Sequence, residues 1–192
     1  MLFRSAPWQH GLAIRASLYI VITLIIILGG RVVPSFTANA LGPATRIHRS
    51  ARLDWTALAL TLTTFIADML GAPGSVIAAF ASISAALHLA RQMRWAPQAT
   101  WRRPILWILH VSHAWIPAGL ALLAISAIEL IPRSVALHAL GAGAMGGMII
   151  GMMTRTALGH TGRPLRAGWP EIVAYSLVHR SEEHTSELQS RL

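Results

Sequence analysis

Tyr19-Ile20-Val21-Ile22-Thr23-Leu24-Ile25-Ile26-Ile27-Leu28 is the heart of an apolar run from about Leu12 to Gly30. A helix rises 1.5 Å per residue, so roughly 20 such residues cross the hydrocarbon of a bilayer. The run is long enough and contains no charge after Arg15, which lies near its outer end and reaches the interface by snorkelling. Read outward from this segment, the rest of the chain repeats the pattern. Further apolar stretches run from about Trp55 to Leu70, Gly74 to Leu89, Pro104 to Leu130 and Ser134 to Met153, and another begins at Trp169-Pro170. The second and third are separated only by Gly71-Ala72-Pro73, a tight helical hairpin. The expected fold is therefore all-α: a polytopic transmembrane helix bundle of about five full spans and a truncated sixth.

Composition agrees. Across 192 residues, 54% are hydrophobic and 12% charged, with a mean hydropathy of +0.55. A soluble domain carries about a quarter charged residues; half that number cannot cover a water-facing surface. The net charge is +9, and every basic residue is arginine. These arginines sit between the apolar runs rather than along a stripe on a soluble fold, which excludes nucleic acid as a partner and leaves the lipid bilayer. Arg31, Arg46, Arg49 and Arg52 follow span one. Arg91, Arg94, Arg102 and Arg103 follow span three, and Arg155, Arg163 and Arg166 follow span five. By the positive-inside rule these three segments are cytoplasmic and the N-terminus faces outward. The first apolar run is too long for a signal peptide and lacks a cleavage site. An outward N-terminus without its own targeting device suggests that helices precede Met1. Cysteine is absent, so there are neither disulfides nor thiolate ligands.

The far end breaks the pattern. Arg180-Ser181-Glu182-Glu183-His184-Thr185-Ser186-Glu187-Leu188-Gln189-Ser190 is polar and acidic and interrupts a helix in mid-membrane. It resembles the in-frame translation of a sequencing adapter. Residues 1–179 are read as one membrane domain and 180–192 as a non-native tail.

Ionisable groups inside a span cost roughly 2.5–3.5 kcal/mol at the bilayer centre, so each calls for a partner. Asp68, near the outer end of span two, reads either as an interfacial residue beside the hairpin turn or as a relay or metal-site carboxylate. His110 and His113 lie at i and i+3 on span four and share one helix face. His88 lies late in span three and His138 early in span five. Imidazole is a common ligand of copper and haem iron; the alternative is that these side chains are bonded to backbone or water between helices. His88 lies toward the cytoplasmic side and His138 toward the outer side, so one site does not use all four. Gly143, Gly147 and Gly151 form a small-residue seam for close helix approach or for a flat ligand. Met145, Met148, Met152 and Met153 are packing residues or soft copper ligands.

Two arginine-bearing segments complete the set. Gly29-Gly30-Arg31-Val32-Val33-Pro34-Ser35-Phe36-Thr37 and Thr154-Arg155, followed by Leu158-Gly159-His160-Thr161-Gly162-Arg163-Pro164, read as loops at the cytoplasmic face. Either suits an anion such as a haem propionate. Together with His138 through Gly147, and with Leu109-His110, Ala114-Trp115 and Gly119, they resemble the signature of the NnrS family over about Gly29 to Leu165. The resemblance implies a bacterial inner-membrane protein that binds haem and copper and takes part in the response to nitric oxide and nitrosative stress. It implies about twice this number of helices, with this chain as the C-terminal half, the N-terminal half as its missing partner and nitric oxide as a ligand. Residues carried over by motif are Arg31, Arg155 and Arg163 as cofactor-anion partners and His110, His138 and His160 as metal ligands. His113, where the family pattern favours an aromatic, and His88 complete the candidate ligand set. The residues leave turnover open. They also leave two other classes: half of a secondary transporter with Asp68 and the histidines as proton relay, and a structural membrane subunit without cofactor.

Overall fold

The computed structural model describes residues 7–178, all of whose regular structure is helical. The chain runs α1 (Pro7–Leu41), α2 (Ala51–Met69), α3 (Gly74–Met93), a short 3₁₀ turn (Pro97–Thr100) and α4 (Pro104–Ala127). It continues as α5 (Arg133–His138), a π-helical segment (Ala139–Gly146) and α6 (Gly147–His160), which run on as one span from Arg133 to His160. A last helix, α7, covers residues 169–178. The adapter-like tail lies outside the described residues.

Four helical segments are long and apolar enough to cross a membrane: Gly11–Leu41, Gly74–Met93, Pro104–Ala127 and Arg133–His160. The sequence reading expects a fifth full span over Trp55–Leu70. The corresponding α2 has 19 residues, but Arg52, Asp54 and Asp68 stand near its two ends. The outward faces carry the signature of a lipid environment. Ile20, Leu24, Leu28, Ile66, Ile83, Leu89 and Ile149 are all exposed, a belt far too apolar for water to face. The chain is a multi-pass membrane protein.

Element boundaries follow local chemistry. Ser50 caps α2, its hydroxyl accepting from the Leu53 amide. Gly71, at φ +66°, makes the left-handed turn into Pro73 that opens the α2–α3 hairpin. Pro104 opens α4, where no intrahelical donor is lost. α4 is the central helix, flanked by α3, α1 and the last span. Small residues make this possible: a Cβ on Gly143 would strike the Trp115 ring, and one on Gly119 would strike Leu140. Gly151 likewise seats Leu109 and Ile108. At Gly143 and Gly151 the seam therefore receives α4 side chains, not a ligand.

Two stretches expected as loops are helical. α1 continues through Gly29-Gly30-Arg31 and Pro34 to Leu41, and α6 continues through Thr154-Arg155 to His160. Pro34 cannot donate to the carbonyl four residues back, yet the helix persists, as buried Pro helices in bundles do when neighbours re-satisfy the backbone.

Candidate functional site

Three of the predicted histidines meet. His88 on α3 and His110 and His113 on α4 are all buried, with the His88 and His113 rings 6.3 Å apart between centroids. They lie toward the arginine-rich end of the bundle, above Trp95, whose ring meets His113 edge-on at 4.9 Å.

Each imidazole is held through one nitrogen, and each bond fixes a tautomer. Gln92 Nε2 donates to the His110 carbonyl at 2.6 Å. That orients the amide so that its oxygen faces His113 Nδ1 at 3.2 Å. An amide oxygen only accepts, so Nδ1 carries the proton and His113 Nε2 is left a bare lone pair. Thr37 donates its hydroxyl proton to the Val33 carbonyl and meets His110 Nε2 at 2.9 Å. With that proton committed, His110 Nε2 donates and Nδ1 is bare. Thr61 donates to the Ala57 carbonyl, so His88 Nε2, at 2.9 Å from Thr61 Oγ1, donates too. Ser84 sits 2.6 Å from the same hydroxyl and occupies its second lone pair. The free nitrogens are His88 Nδ1, His110 Nδ1 and His113 Nε2, and all three are buried without a partner.

Leaving a buried polar atom unmet costs roughly 1–3 kcal/mol. Three such nitrogens consume a large part of a typical net stability of about 5–15 kcal/mol. A hydrogen bond on one nitrogen and a bare lone pair on the other is also how metal-ligating histidines are held. The Cδ2 edge of the His113 ring faces Gly29: a Cβ there would lie 3.3 Å from both His113 Cδ2 and Met148 Cε. The side chain of the buried Met148 thus reaches Gly29 beside the His113 ring. Among the described residues no three His or carboxylate side chains are close enough to enclose a metal ion.

A guanidinium adjoins this layer. Arg91, expected as a loop charge, is 5% exposed on α3, and its Nε donates to Asp54 Oδ1 at 2.6 Å. It lies against Gly30, where any side chain would collide with it, and 5.1 Å from the Trp95 ring centre. The Gly29-Gly30 pair thus has a physical reason: one glycine admits His113 and Met148, and the next admits Arg91. Sequence reasoning missed Arg91 and Gln92. The signal was present, since Ser84, His88, Arg91 and Gln92 fall at helical spacing on one face of α3.

The remaining predicted residues lie elsewhere. His138 is exposed at the opposite end, where the π-helical segment begins, and His160 and Arg163 are exposed beyond the arginine-rich end of the last span. Arg31 is exposed on the wall of a cavity of about 470 Å³ that also includes Arg49, Asp54 and Arg91. Arg155 stacks on Phe36, its Cζ 3.8 Å from the ring centre. The two arginine-bearing segments touch through this contact.

Asp68 forms a separate centre at the outer end. It is 2% exposed, accepts from the Tyr19 hydroxyl at 2.8 Å, and pairs with Arg133 at 2.7 Å and Arg15 at 3.5 Å. Tyr19 stacks flat on Phe65 at 4.0 Å. The snorkelling expected of Arg15 is partial: its side chain is 26% exposed, and its head turns to Asp68.

No curated protein and no solved structure matches the chain. A family model described as NnrS protein matches residues 1–181, nearly the whole length, and the chain belongs to the NnrS family.

Proposed function

We propose that this is a haem- and copper-binding protein of the bacterial inner membrane that serves the response to nitric oxide and nitrosative stress. The supporting observation is the layer of three buried imidazoles, each oriented through one nitrogen and bare on the other. Family membership supports the same reading, because the resemblance implies both cofactors.

Copper fits the donors. Neutral imidazole and thioether are ligands of the right softness for Cu(I), which accepts low coordination numbers. His113 Nε2, His88 Nδ1 and Met148 are the side chains that would hold it, with His110 beside them. Copper bound there would supply a one-electron couple. The chain's own contribution is threefold. Gln92, Thr37 and Thr61 hold the rings in one tautomer, the surrounding core excludes water, and Arg91 supplies a fixed positive charge next to the layer.

Haem fits less directly. Three cavities of about 470, 370 and 710 Å³ have no histidine in their walls. Within this chain a haem would be held by exposed His160, with Arg31, Arg155 and Arg163 at the same arginine-rich end for its propionates; His138, at the opposite end of the last span, lies too far from those arginines to share it.

The relay reading of Asp68 has weaker support. Asp68 contacts Tyr19, Arg15 and Arg133 and none of the histidines, so nothing links it to the imidazole layer.

The test is metal analysis of the full chain purified from membranes and exposed to copper, alongside His88→Ala and His113→Ala. About one copper per chain, lost in both variants while helicity is retained, is the expected result. Equal copper in all three proteins removes the site.

A further inference from the structure

The largest of the three cavities, about 710 Å³, opens between the C-terminal end of α1, the N-terminal end of α4 and the segment after α6. Arg102, Arg103, Arg155 and Arg166 stand in its wall with Asn39, and no carboxylate does. Two of the cations are fixed: Arg103 donates to the Ala40 carbonyl, and Arg155 is stacked on Phe36. The rest of the wall is apolar and includes Ile105, Leu106 and Leu165. The three ion pairs among the described residues use Arg15, Arg91 and Arg133, so none of these four cations is neutralised by a carboxylate.

Four arginines facing one concavity repel one another unless an anion sits between them. Planar guanidinium groups match phosphate oxygens in bidentate geometry. A wall part charged and part apolar, at the end of a membrane-spanning bundle, matches an amphiphile whose head is anionic and whose tail is not. Basic pockets between helices at that depth are where acidic lipid headgroups bind. We propose that this cavity is a binding site for a phosphate group, presented by an acidic phospholipid whose first acyl segment lies against Ile105, Leu106 and Leu165. This site is separate from the imidazole layer and stands whether or not that layer holds metal.

The experiment uses the full chain in a neutral detergent, titrated with phosphatidylglycerol, phosphatidylcholine or inorganic phosphate and followed by thermal unfolding and native mass spectrometry. Phosphatidylglycerol is expected to bind and raise the midpoint where phosphatidylcholine does not. Arg102→Gln/Arg166→Gln removes two exposed rim cations and is expected to weaken phosphatidylglycerol about thirtyfold. Arg46→Gln/Arg49→Gln, away from the cavity, should leave it unchanged. Weak inorganic phosphate binding with tight phosphatidylglycerol binding identifies the lipid as the source. Tight inorganic phosphate binding, lost in the rim variant, identifies a soluble phosphate instead. Equal binding of both lipids without phosphate binding, or equal loss in both arginine pairs, overturns the proposal, because diffuse surface charge then accounts for it.

Discussion

Gln92 fixes the proton of His113. Its Nε2 is committed to the His110 carbonyl at 2.6 Å, so its oxygen faces His113 Nδ1 at 3.2 Å and leaves the His113 Nε2 bare and buried. One amide thus joins two histidines of α4 to α3 and selects which nitrogen is available. Gln92→Leu keeps the approximate volume and removes both bonds. Copper affinity should fall about 10–100-fold, the usual effect of losing an outer partner of a metal-bound histidine. Gln92→Glu retains the acceptor for Nδ1 and should recover part of the loss. Competition titration against a chelator reads both.

Gly30 is the seat of the Arg91 guanidinium. Gly30→Val should push Arg91 off Asp54 and break a pair in which one partner is 5% exposed. Breaking a buried pair costs about 3–5 kcal/mol; with Asp54 29% exposed, the lower end applies. Thermal unfolding in detergent measures it. In an Arg91→Leu background the valine should cost much less, so the two changes should be strongly non-additive.

At the opposite end, Asp68 compensates two arginines from two other helices. Asp68→Leu leaves both cations without their carboxylate; with Arg15 26% and Arg133 33% exposed, the cost should fall at or below the lower end of the buried-pair range, about 3 kcal/mol. Tyr19→Phe removes one bond to the carboxylate and should cost about 1.5–3 kcal/mol. Neither should alter copper stoichiometry, since neither residue touches the imidazole layer. Unfolding midpoints and metal content, read on the same samples, separate the two effects.

Gly143 faces the Trp115 ring with no room for a methyl group. Gly143→Ala should cost about 1–3 kcal/mol by overpacking, and Gly159→Ala, in open space, should not. Chemical unfolding of the two variants makes the comparison.

The helices were legible because apolar length is the strongest signal a membrane chain carries, and the Gly71-Ala72-Pro73 turn was legible because little else follows that sequence. The inward face of α3 was not. Arg91 and Gln92 stand near the end of an apolar run, where charge normally marks a loop, and hydropathy falls there whichever way the side chains point. Their spacing from His88 held the information, but a face is only meaningful once a partner helix is known to cover it. The same holds for Gly29-Gly30: it reads as a loop motif, whereas its use is to admit two side chains from α3 and α4 to the backbone of α1. His138 and His160 show the converse. As isolated histidines they are equivalent in sequence to His110, and only the fold separates exposed rings from the buried layer.

X-ray absorption at the copper edge, on the copper-loaded full chain, tests the central claim most directly. Two imidazole rings in the scattering pattern, falling to one in His113→Ala, are what two oriented and bare nitrogens predict. A spectrum of oxygen scatterers alone, unchanged by that substitution, would contradict it.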